Sequence, residues 1–93
     1  MEKAVEKVLR GFTTAMDLPP DVLLDMPRVH MVGNLEVVVD NHKGLRQYTS
    51  LEIRVRINGG VLIVCGKKLR IAFLTKDDLK ITGRIGNVEF FAE

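Results

Sequence analysis

Over most of the chain, apolar and polar residues alternate with a period of two. Leu51, Ile53, Val55 and Ile57 alternate with Glu52, Arg54 and Arg56, the pattern of a strand that buries one face. Leu35, Val37 and Val39 alternate with Glu36, Val38 and Asp40. Leu69, Ile71 and Phe73 alternate with Arg70, Ala72 and Leu74, and Leu79 and Ile81 with Lys80 and Thr82. The run Val61-Leu62-Ile63-Val64-Cys65 is apolar on both faces, which predicts a central strand. A last strand is expected through Val88, Glu89, Phe90 and Phe91.

The first residues follow a different period. Val5, Val8, Leu9, Phe12 and Met16 recur at steps of three and four, which predicts an amphipathic helix. Leu18-Pro19-Pro20 ends it, because a residue before proline is pushed out of the helical region. The chain therefore divides into a helix over residues 1–17, a linker or turn over 18–27 and a β-rich module over 28–93, all in a single domain. Asn58-Gly59-Gly60 and Gly86-Asn87 have the composition of tight primed hairpin turns. Gly33-Asn34 and Gly44 mark two more reversals, and Gly66-Lys67-Lys68 and Thr75-Lys76-Asp77-Asp78 are short polar connections. Short connections favour antiparallel neighbours. The expected fold is mainly β (α+β): the helix, then an antiparallel β-meander of about six to eight short strands. The recurring Leu62-Ile63-Val64-Cys65-Gly66 and Leu79-Lys80-Ile81-Thr82-Gly83 leave a β-solenoid as the alternative.

Ninety-three residues build only a small core, so a homo-oligomer or a larger partner is expected on physical grounds. A single cysteine, Cys65, rules out an intramolecular disulfide and any zinc site made from several cysteines. No apolar run is long enough for a spanning helix and no secretory leader is evident, so a cytoplasmic location is expected. The net charge of +2 hides an asymmetry. Residues 43–84 carry ten basic side chains against Glu52, Asp77 and Asp78, while residues 1–42 carry four basic and seven acidic ones. Such a distribution suits an anionic surface or head-to-tail contact between copies.

Catalytic chemistry has little to stand on. Cys65 lies in the most apolar strand without a base beside it in sequence, as a buried structural cysteine would. His30 and His42 lack metal-ligand spacing, and no glycine loop precedes a helix to cradle phosphate. No catalytic residue, cofactor or metal is expected. Asp40-Asn41-His42-Lys43-Gly44 reads as a turn whose side chains bond to the backbone, or as a partner contact on a rigid scaffold. A small basic β-fold regulator that binds nucleic acid is the alternative function. It would need exposed aromatic platforms, and the chain has one tyrosine and no tryptophan.

The stretch from Leu18 through Leu24-Asp25-Met26-Pro27-Arg28, Gly33, and Glu36 to Gly44 with its Asn41-His42-Lys43-Gly44 turn resembles the YabP/YqfC family, the YqfC branch most closely. The closing Ile81-Thr82-Gly83-Arg84-Ile85 and Val88-Glu89-Phe90 extend the resemblance to roughly residue 91. It implies a role in endospore formation, with expression in the mother cell and association with a membrane protein of the YqfD type. It supplies no catalytic, cofactor or binding residue. The expectation is a non-enzymatic binding and assembly module at the developing spore envelope. It would be cytoplasmic or peripheral at the forespore outer membrane, with any membrane contact made indirectly through its partner. Arg54, Arg56, Arg70 and Lys80 are the candidate basic contact face, and Asn41, His42 and Lys43 a candidate contact loop.

Overall fold

A computed structural model describes residues 25–93; the helix predicted over 1–17 lies outside the described residues. Six strands follow: β1 (Arg28–Val32), β2 (Glu36–Asp40), β3 (Gly44–Tyr48), β4 (Glu52–Ile57), β5 (Gly60–Leu74) and β6 (Asp78–Ala92). Every pairing is antiparallel, which excludes the solenoid alternative. The spatial order β1-β2-β6-β5-β4-β3 corrects the expected meander, because β6 returns between β2 and β5. The alternation is right where it predicts strands and wrong about where two of them end. Gly66-Lys67-Lys68 is no connection but the middle of β5, and Gly86-Asn87 lies inside β6 rather than in a turn. The Asn58-Gly59 turn also departs from the primed type, since only Gly59, at φ 87°, has a positive φ.

The two long strands lose register in their middle. Pairing shifts between Cys65 and Gly66 and again between Lys67 and Arg70, and such bulges bend a sheet sharply. Lys68 turns through φ 54° and Gly83 through φ 138°. At Gly83 a Cβ would lie 2.6 Å from the Lys68 carbonyl oxygen, and at Gly66 it would overlap the Arg84 carbonyl. The backbones thus meet where no side chain fits.

This bend divides the sheet into two halves that repeat one design. In the first, β1 pairs with β2 and β2 with the start of β6, and the end of β5 lies beyond it; in the second, β3 pairs with β4 and β4 with the start of β5, and the end of β6 lies beyond it. The registers correspond: Val37↔Ile81 and Val39↔Leu79 match Ile53↔Val64 and Val55↔Leu62. The hairpin turns correspond too. Leu35 and Asn34 carbonyls accept from Gly83 and Ile85 N–H, as Leu51 and Ser50 carbonyls accept from Gly66 and Leu69 N–H. The recurring Leu62–Gly66 and Leu79–Gly83 segments are equivalent strands of these halves, related by the antiparallel β5–β6 pair.

Both halves and the bend build one core: Val37, Val39, Leu79 and Ile81 come from the first half, Ile53, Val55, Leu62 and Val64 from the second, and Leu69 and Ile85 from the bend. Burying an aliphatic side chain of this size stabilises by about 1.5–3 kcal/mol. The free ends of the halves are joined by the β2–β3 loop. There His42, 5% exposed, accepts from Gly44 N–H through Nδ1 at 3.0 Å, and its Nε2 lies 2.9 Å from the Thr75 carbonyl and 3.2 Å from that of Asp78. These partners require the neutral ring with its proton on Nε2. Asn41 takes the left-handed conformation at φ 65°, one that asparagine tolerates. Beside this loop Asp40 and Asp78 are direct cross-strand partners. Loss of hydration, then the hydrogen bond and charge of Asp40, with Asp77 adding to them, raise the Asp78 pKa.

Gly83→Ala should destabilise the fold by about 2–4 kcal/mol, from left-handed strain plus the clash with Lys68, read as a lower denaturant midpoint. The Asp78 carboxyl keeps its proton in the folded state at pH values where the unfolded chain has released it. Its contribution is therefore present at acid pH and declines as pH rises through its elevated pKa. Asp78→Asn should consequently be more stable than the parent at pH 7, with the advantage vanishing below the ordinary aspartate pKa of about 3.9. Equal parent and variant stability at both pH values would show that the Asp40–Asp78 repulsion is inconsequential.

Candidate functional site

The polar residues suited to catalysis are held apart. Cys65 lies beside the bend of β5, whereas His42 lies at the far ends of the strands. Cys65 Sγ is 3.7 Å from Glu52 Oε1. Burial, followed by the Glu52 charge and hydrogen bond, pushes its thiol pKa up, which keeps it protonated and weakly nucleophilic. Among the described residues no cluster of His, Cys, Asp and Glu could hold a metal ion.

The structure does not bring the predicted basic face together. Arg54 and Arg56 lie opposite Ile63 and Val61 on the outer face of the second half, while Arg70 and Lys80 lie on the outer face of the first. Arg54 Nε is 3.0 Å from Glu52 and Lys80 Nζ is 2.9 Å from Glu36, so two of the four charges are locally balanced. Alternation places residues of one strand on one face; it does not say which side of a bent sheet that face will line. The predicted contact loop divides as well. His42 is buried inside the fold and presents no surface to a partner. Lys43 pairs with Asp25 at 2.6 Å, and the Asn41 side-chain amide donates to the Met26 carbonyl at 3.3 Å.

A more coherent surface lies on the outer face of the second half. Val61 and Ile63, 4% and 7% exposed, floor a shallow depression. Arg46, Gln47 and Arg54 stand on one side, Glu89, Phe91 and Glu93 on the other. Arg46 Nη1 meets Glu93 Oε1 at 2.5 Å, closing one end of the rim. Phe91 is 60% exposed, and Phe90, which points to the opposite face, is 65% exposed. Residues 87–92 of β6 pair with β5 on one side and with no strand on the other among the described residues. An apolar floor, a charged rim and aromatic side chains at an open strand edge are features of protein interfaces. The sequence places Phe90 and Phe91 in a last strand but not on an open surface, because alternation is silent on how far a strand outruns its covering layer.

The chain as a whole has recognisable relatives. The model of the YabP family matches residues 25–93, the span of the described sheet. A curated protein of Bacillus subtilis (strain 168), described as uncharacterized protein YqfC, is 35% identical over 78 residues, which cover 84% of each chain. No solved structure matches. The chain belongs to the YabP family.

Proposed function

We propose that this protein is a non-enzymatic binding module of endospore formation, assembled at the developing spore envelope from the mother-cell side. Its family membership supports a role connected with sporulation. The observation that carries the binding role is Phe91, exposed beside the Val61–Ile63 depression on an edge of β6 that pairs with no other strand among the described residues. Large aromatic side chains left in water on a strand with a free edge are stabilised by a partner that covers them. The partner in this reading is a membrane protein of the YqfD type, which would bring the module to the forespore outer membrane. Arg56 on the same face, exposed and without a carboxylate partner among the described residues, would set orientation against acidic groups of that partner.

A fluorescent fusion of the full chain should form a shell around the forespore in sporulating cells and disperse when the membrane partner is deleted. Phe91→Ser combined with Arg56→Glu should also disperse it, with an unchanged circular dichroism spectrum, because both side chains are solvent-exposed. A fusion that keeps its shell despite both changes would remove this face from the mechanism. Diffuse signal in every strain would reject envelope recruitment, and signal over the chromosome would favour nucleic-acid binding.

A further inference from the structure

Positive charge without local compensation collects where the sheet bends. Lys67 of β5 and Arg84 of β6 are direct cross-strand partners, an arrangement of like charges that disfavours the pair. Lys68 follows at the left-handed position, and Arg70 lies two residues beyond. All four are exposed, and none pairs with a carboxylate among the described residues. The carboxylates that begin the flanking strands, Glu36 and Glu52, are engaged with Lys80 and Arg54. Among the described residues the four cations therefore have no counter-charge of their own.

Apolar side chains flank them on both sides. The two hairpin turns are fastened to the bend through the Asn34, Leu35, Ser50 and Leu51 carbonyls. Val32, Leu35 and Leu51 are left 61% exposed. A nucleic acid would answer the charge but has no use for branched aliphatic side chains, since it needs flat stacking platforms. Among the described residues one aromatic side chain lies at this end, Tyr48, whose hydroxyl accepts from Ile71 N–H at 3.3 Å. A bilayer surface answers both features, offering anionic headgroups and an acyl boundary a few ångströms below them.

We propose that the bent end of the sheet is a docking tip for an anionic phospholipid bilayer. Lys67, Lys68, Arg70 and Arg84 meet headgroup phosphates, and Leu35 and Leu51 enter the interface. The depression beside Phe91 belongs to the other half's outer face, so the tip can rest on a membrane while that face engages protein. The inference does not depend on the partner proposed above.

The test is co-sedimentation of the full chain with vesicles of phosphatidylcholine alone and of equal parts phosphatidylcholine and phosphatidylglycerol. Binding is expected only to the anionic vesicles, weakening as salt is raised. Each cation near such a surface strengthens partition about five-fold, so Lys67→Glu with Lys68→Glu should weaken it by at least ~25-fold. Leu35→Ser with Leu51→Ser should also weaken it while preserving the charge. The same charge change at the opposite end, Arg56→Glu with Lys76→Glu, should leave binding nearly unchanged. Four results would overturn the proposal: no binding at low salt, equal binding to both vesicle types, equal loss in the Arg56/Lys76 control, or binding to an oligonucleotide while vesicles are ignored.

Discussion

The interruption of the β5–β6 ladder is the constraint on which the rest of the molecule depends. Two strands of 15 residues each, paired without a break, would give a broad open sheet with an apolar face in water. The bulges around Gly66, Lys68 and Gly83 fold that sheet back, so its two apolar patches cover one another. The close backbone approach at Gly66 and Gly83 explains why these two positions lack side chains. A modest chain thereby obtains a two-layered core from a single sheet.

Folding one sheet in half also explains the repeated design. Both halves offer a turn to the bend, a short inner strand to the core and a strand end that outruns its neighbours. The outer faces carry different chemistry on this shared plan. The first presents Glu36 paired with Lys80, and the second presents Arg54 and Arg56 near an apolar floor of Val61 and Ile63. Equivalent scaffolding leaves the exposed positions free to differ, since surface substitutions away from caps, turns and cores cost little. The equivalence reaches the turns, where Leu35 and Leu51 occupy matching places and are equally exposed.

His42 shows how a polar residue in a distinctive loop can serve architecture. Its Nε2 holds the β2–β3 loop to the Thr75–Asp78 turn while Nδ1 accepts from Gly44 N–H at the start of β3, joining the free ends of the halves. The predicted reading of this segment as a turn with side-chain-to-backbone bonds agrees with that geometry. Its reading as a contact loop finds an obstacle in the burial of His42. Cys65 beside Glu52 likewise has a local structural explanation. What is left for recognition is apolar edge, charged rim and cationic bend, none of which has a short sequence signature.

Alternation by itself determined the β class and which side chains face inward along β2, β4 and the first part of β5. Val37, Val39, Ile53, Val55, Leu62 and Val64 are all buried as the period requires, because side-chain direction in a strand is a local property. The tertiary structure alone decided that β6 inserts between β2 and β5, that two apparent turns are bulges within continuous strands, and that Arg54 and Arg56 face away from Arg70 and Lys80. Those outcomes depend on long-range pairing and on the direction of one bend. A two-residue period carries information about neither, since it reads the same in a flat sheet and in one folded on itself.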